Sequence, residues 1–194
     1  MKITSSSNTS VRRHLVDRKK AVDPNIDRQV AKIVDDVRRR GDRALIDYAR
    51  RFDDLTEPVE VSAREIRRGA AETPSVVRTA LRKSAIHIRR IAKLQVPRQW
   101  RSQLVPGVVV EQRVTPLARV GCYVPGGRYP LPSSLLMTAI PARVAGVRDV
   151  IAVCPRLEPA VCSAALEAGI SRLFRIGGAH AIAALAYGTK SVPK

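Results

Sequence analysis

Apolar residues at Ile26, Val30, Ile33, Val34 and Val37 recur at helical spacing from Asn25 onward. Gly41 ends that run behind Arg38, Arg39 and Arg40, whose charges suit the negative end of a helix dipole. A short second helix is predicted over 42–52, with Ala44, Leu45, Tyr48 and Ala49 on its apolar side. The stretch VEVSAREI reads as a short strand running into a helix capped by Ser62, because Ser62 and Glu65 have capping-box spacing. Thr73-Pro74 opens the longest helical pattern, which reaches about Gln95. Val77, Leu81, Ile88, Ile91 and Leu94 mark its apolar side, and Arg78, Arg82, Lys83, Arg89, Arg90 and Lys93 lie largely around the other. Two strands are predicted next: VVVEQRVTP, after a Pro106-Gly107 turn, and LARVGCYV.

From residue 118 the pattern changes. Strand RVGCYV leads through PGGRYPLPSS into a helix predicted over 134–145, which Gly146 terminates. DVIAVCP is a continuous apolar strand, a helix over 159–168 stops at Gly169, and strand RLFRI runs into Gly177-Gly178. A last helix, AHAIAALAYG, follows. Alternation of strand and helix at this spacing makes two successive βαβ crossovers, hence a parallel sheet. The predicted fold class is α/β: a helical N-terminal region joined to an incomplete Rossmann-like parallel sheet. The expected organisation is an arm over 1–24, a helix-rich part over 25–117 and the Rossmann-like part over 118–194.

Composition narrows the function classes. The 194 residues hold 35 Lys+Arg against 17 Asp+Glu, a formal charge of +18 that attracts polyanions. Arginine is spread over the whole chain, however, and no helix-turn-helix, zinc-finger or RNP pattern is present. A solvated basic surface is therefore favoured over a specific nucleic-acid partner. No segment has eighteen uninterrupted apolar residues, so no membrane partner is expected, and the polar N-terminus lacks the apolar core of a secretory signal. Cys122, Cys154 and Cys162 form no CxxC and sit in apolar runs, as free thiols do in a reducing, cytoplasmic setting.

The candidate chemistry lies in the loops. Gly126-Gly127 and Gly177-Gly178 both fall at predicted strand C-termini, where open parallel sheets bind ligands. Glycine there admits positive φ and close approach of a ligand, and a helix N-terminus behind it offers N–H groups to an anion such as a pyrophosphate. A plain tight turn explains the same residues equally well. Neither GxGxxG nor a Walker loop is present. Ser133 or Ser134 is expected as a helix N-cap, Arg128 and Tyr129 as loop-tip residues, and His87 as a partly buried structural histidine. Asp149 and Glu167 have no carboxylate partner at useful spacing. The three histidines, His14, His87 and His180, are far apart and make no metal motif.

RVGCYVPGGRYPLPSSLLMTAIPARVAGV and FRIGGAHAIAALAYGTKSVPK, with RRRGDRALIDYARRFD upstream, closely resemble the histidinol dehydrogenase family over nearly the whole chain from about residue 25. That resemblance implies an oxidoreductase of histidine biosynthesis that converts L-histidinol to L-histidine with NAD and Zn²⁺ as cofactors, working as a homodimer. It implies a cofactor contact at Tyr123, the tyrosine of the YVPGG motif, and another at His180, where the family pattern GGAQAIAA carries glutamine. Neutral histidine, like an amide, both donates and accepts, but with a different reach. The family's GPGN segment, its Gln, His and Asp zinc ligands, its substrate serine and its Glu-His acid/base pair are all expected beyond Lys194, so no catalytic or metal residue is assigned here. The expectation is thus a truncated histidinol dehydrogenase fragment. The alternatives are a non-catalytic remnant or a half that depends on a partner polypeptide, and, in another class, a basic nucleic-acid-binding protein. Apolar surface left bare over 25–95 would make such a chain self-associate.

Overall fold

A computed structural model of the chain describes residues 23–126 and 131–194, together with Thr9. Nearly all of the arm expected over 1–24, with His14, and the loop residues Gly127, Arg128, Tyr129 and Pro130 lie outside the described residues. The chain divides into a unit ending at Lys32 and a unit over Ile33–Lys194. Helix α1, Pro24–Arg40, begins in the first unit, where Asp23 Oδ1 accepts the Asn25 N–H at 2.8 Å.

In the second unit the end of α1 is followed by α2 (Asp42–Phe52), β1 (Glu60–Val61), α3 (Ala63–Glu72) and α4 (Ser75–Gln95). A hairpin of β2 (Trp100–Val105) and β3 (Val108–Gln112) comes next. The α/β part consists of β4 (Arg119–Tyr123), α5 (Pro132–Val144), β5 (Asp149–Val153), α6 (Pro159–Ala168), β6 (Arg172–Phe174) and α7 (Gly178–Tyr187). The main sheet has the order β1-β6-β5-β4, with β4, β5 and β6 parallel and β1 antiparallel to β6. The α/β class is as the sequence predicted, and β1 carries the N-terminal region into the same sheet.

Alternation along β5 shows how the sheet is covered. Val150 and Ala152 enter a core with Leu135, Leu136, Ile140, Val161 and Ala165. Ile151 and Val153 enter a second core with Leu45, Ala49, Phe174 and Ala184. Period-two alternation with both faces apolar is the pattern of a strand buried on both sides. Helices α5 and α6 therefore share one face, together with residues of α3 and α4, while α2 and α7 cover the other.

The capping box predicted at Ser62 is formed: Glu65 N–H reaches Ser62 Oγ at 3.2 Å, and Ser62 N–H reaches Glu65 Oε2 at 3.0 Å. Gly169 adopts the left-handed conformation that ends α6. Two local expectations fail. Helix α5 starts at Pro132, not Ser134, and neither Ser133 nor Ser134 caps it through its side chain. Proline fits the first turn of a helix, where its missing N–H costs nothing. Trp100–Val105 is a strand the sequence did not reveal, because every residue of the hairpin is exposed and no one-sided burial marks its period.

Two sets of contacts tie α3 to α6. Ser163 Oγ donates to Thr73 Oγ1 at 2.8 Å in the buried contact between α6 and the end of α3. Beside it, a Cβ added at Gly69 would lie 2.6 Å from Cys162 Sγ, so only glycine lets the helices approach this closely. Gly69→Ala is expected to destabilise the chain by about 1–3 kcal/mol in urea unfolding. Adding Cys162→Ala should recover much of that loss; strictly additive effects would refute the steric coupling.

Carboxylates are held low by their partners. The Arg172 guanidinium, at 2.7 and 2.5 Å, lowers Glu60 below the usual carboxylate range. Arg119 does the same to Asp149, and the Ser62 backbone N–H, then the Ser62 hydroxyl and Arg175, to Glu65, each against the opposing effect of burial. Folded pKa values below the unfolded ones lend stability that is present above roughly pH 4 and is lost as pH falls through the folded values. The melting temperature should hold from about pH 6 down to about pH 4.5 and fall as acidification carries the pH below roughly 4; a flat profile down to about pH 3 would contradict this account.

Candidate functional site

The C-terminal ends of β4, β5 and β6 lie side by side, because pairing continues one residue past each strand. Val124 N–H bonds to Val153 O at 2.9 Å, and Cys154 N–H to Phe174 O at 2.9 Å. Three loops therefore emerge together at Val124-Pro125-Gly126, Pro155 and Gly177-Gly178. After β6 the chain also changes face: α5 and α6 pack on one side of the sheet, and Ala181, Ala183 and Ala184 of α7 on the other. Such a crossing at strand C-termini is where open α/β sheets place their ligand crevice.

Pro155 explains two of the glycines. A Cβ at Gly126 would stand 2.1 Å from Pro155 Cγ, and one at Gly177 would stand 2.7 Å from it. The proline ring is wedged between the two loops, so a close approach within the protein itself requires glycine at both positions. Gly178, with φ +56°, is the loop residue that uses the left-handed region.

The N-terminus of α7 is already engaged. Gly177 N–H donates to Asp53 Oδ2 at 2.8 Å, and Gly178 N–H donates to the Tyr123 hydroxyl oxygen at 3.1 Å. These two N–H groups, which the sequence left open between a ligand anion and a plain tight turn, are satisfied by the chain's own carboxylate and phenol. Because the Tyr123 oxygen accepts from Gly178, its own proton is left to donate, and no acceptor for it occurs among the described residues.

Asp53 follows the last turn of α2, and the turn after it is formed by Asp54 at φ +54°. Aspartate tolerates this left-handed conformation better than most residues. The same Asp53 Oδ2 lies 2.8 Å from His180 Nε2. The His180 ring is 1% exposed, with the Tyr48 and Phe52 ring centroids each 6.2 Å away. The two sequence-predicted residues are thus brought to adjacent turns, Tyr123 half-buried at the end of β4 and His180 enclosed behind Gly177-Gly178. Asp53 escaped the sequence reading because it lies 127 positions before His180, and no local spacing connects them.

Other candidates go elsewhere. His87, expected to be partly buried, is exposed, since the buried line of α4 runs through Leu81, Ala85 and Ala92. Asp149 pairs with Arg119 at the start of its strand, and Glu167 lies 3.6 Å from Arg82. Among the described residues, no group of three His, Cys, Asp or Glu side chains is arranged to hold a metal ion, so zinc does not fit the residues present. No helix among them is long and apolar enough to cross a membrane.

Comparison with known proteins follows the same lines. The family profile described as histidinol dehydrogenase matches residues 16–194. The chain belongs to the histidinol dehydrogenase family. A histidinol dehydrogenase of Carboxydothermus hydrogenoformans is 43% identical over 185 residues, covering 91% of this chain and 43% of that protein. One from Caulobacter vibrioides is 47% identical over 180 residues, covering 89% of this chain and 42% of its own length. The crystal structure of histidinol dehydrogenase from Elizabethkingia anophelis superposes with a TM-score of 0.86 at 29% identity, covering 95% of this chain and 44% of that one. The chain therefore spans less than half the length of these histidinol dehydrogenases.

The cysteines stay outside the chemistry. Burial pushes the Cys154 and Cys162 thiols up to about 11 and raises Cys122 as well, so all three remain protonated at neutral pH. A thiol-specific reagent at pH 7.5 should modify the native chain far more slowly than the urea-unfolded chain. Rapid native labelling of any one cysteine would contradict its place in the core.

Proposed function

We propose that this chain provides the dinucleotide side of a histidinol dehydrogenase, with Tyr123 as a direct contact to NAD. The observation that carries the reading is the Tyr123 hydroxyl, held by the Gly178 N–H at 3.1 Å with its proton left to donate at the C-terminal end of β4. A ribose or phosphate oxygen is an acceptor of the right kind for such a donor. His180 enters this reading behind the loop, through Asp53 and Gly177.

Family membership supports the reaction class. Taking the primary alcohol of L-histidinol to the carboxylate of L-histidine removes four electrons, so two NAD⁺ each accept a hydride and one water supplies the second oxygen. When bound, NAD supplies the hydride acceptor. The residues of this chain would bind and orient it. No step is assigned to zinc, since no group of described residues suits it. Histidinol oxidation, zinc binding and a homodimeric assembly are accordingly proposed for an assembly that includes a polypeptide equivalent to the remainder of the relatives' length.

Calorimetric titration of the 194-residue chain with NAD⁺ tests the reading. Tyr123→Phe, which removes only the donor, should weaken binding roughly 5–10-fold, the scale of one net hydrogen bond of about 1 kcal/mol. Equal affinity of the two forms would sink the assignment of Tyr123. Mixing the chain with the complementary C-terminal part of the Caulobacter vibrioides relative, with Zn²⁺ added, should yield histidinol-dependent NADH formation that neither piece gives alone.

A further inference from the structure

We propose that Asp53 is a positioning residue for the dinucleotide site, acting through the Gly177-Gly178 turn; the proposal rests on the NAD reading above. One carboxylate oxygen, Oδ2, serves two elements at once: it accepts the Gly177 N–H at 2.8 Å and meets His180 Nε2 at 2.8 Å. Its side chain is only 9% exposed and the His180 ring 1%, so both bonds are shielded from competing water. A hydrogen bond to an ionised, shielded acceptor is stronger than a neutral one, and leaving its donor unpaired is costly.

The geometry gives this anchor a direct route to the ligand contact. Gly177 N–H and Gly178 N–H belong to consecutive residues, so fixing the first on Asp53 orients the second toward the Tyr123 oxygen. The Gly178 bond in turn decides which way the Tyr123 proton points. Asp53 thereby acts on the cofactor contact across a chain separation of 124 residues without touching the cofactor. It also places a negative charge at the N-terminus of α7, where it takes the favourable dipole interaction that a phosphate would otherwise take. The pyrophosphate of a bound dinucleotide is therefore assigned away from the α7 N-terminus, and recognition falls on the hydroxyl of Tyr123.

The test compares wild type, Asp53→Asn and Asp53→Ala in the full 194-residue chain. Amide hydrogen exchange at Gly177 and Gly178 is followed by ¹H–¹⁵N spectra, and NAD⁺ affinity is measured on the same samples. Asp53→Ala should speed Gly177 exchange roughly tenfold or more, the scale of a bond to a charged acceptor, and weaken NAD⁺ by a similar factor. Asp53→Asn keeps one acceptor oxygen in place and should fall between, recovering most of the affinity at a melting temperature close to that of wild type. Unchanged Gly177 exchange in Asp53→Ala would overturn the proposal. If Asp53→Ala does not fold, Asp53→Asn carries the test, and an exchange rate equal to wild type overturns it. Absence of NAD⁺ binding by wild type would overturn the dinucleotide reading and the positioning role that rests on it, whereas the exchange comparison judges the Asp53 anchor of the turn without any ligand.

Discussion

β5 is covered on both faces, and the rest of the second unit follows from that. Val150 and Ala152 on one side, Ile151 and Val153 on the other, are all essentially inaccessible to water. A parallel strand buried in this way requires a helical layer above and below it. The crossovers β4-α5-β5 and β5-α6-β6 lay both their helices on one face. The second layer comes from α2 and α7, at opposite ends of the sequence, so the chain must change sides after β6. That change of side brings Tyr123, Gly177-Gly178 and Asp53 together.

The loops at this edge illustrate how one residue type serves different ends. Gly126 and Gly177 are glycines because Pro155 occupies the space a Cβ would need. Gly178 also relies on a left-handed backbone to begin α7. A Gly-Gly pair at a strand end is therefore not in itself evidence of ligand approach. The polar group that meets these loops is the hydroxyl of half-buried Tyr123, whose acceptor role is already filled by Gly178.

Apolar surface remains on the outer side of the second unit. Leu94 is 87% exposed near the end of α4, and Val108, Val109 and Val110 of the hairpin are exposed as well. The histidinol dehydrogenases it matches are more than twice as long as the segment they share with it. Two of the basic residues are drawn into the packing: Arg175, 8% exposed, is held by Pro58 O, Glu57 and Glu65, and Arg143 by Gly169 O and Arg148 O. These two arginines thus do structural work as well as carrying charge.

Local order was legible from the sequence by itself. The extents of α2, α4 and α6, the Ser62 capping box, the apolar β5 and the α/β class follow from periodicity, capping residues and punctuating glycines, all of which act within a few positions. The long motifs around Tyr123 and His180 carried the family. What the sequence left undecided depends on distant residues. β2 lacks a buried face to impose a period, and β1 is two residues long and takes its place only by pairing with β6. The tertiary structure alone decided that Asp53 stands beside His180 and that Pro155 separates two glycine loops. It did so because the burial of both sheet faces brings the end of α2 against the start of α7, a juxtaposition that no local propensity encodes.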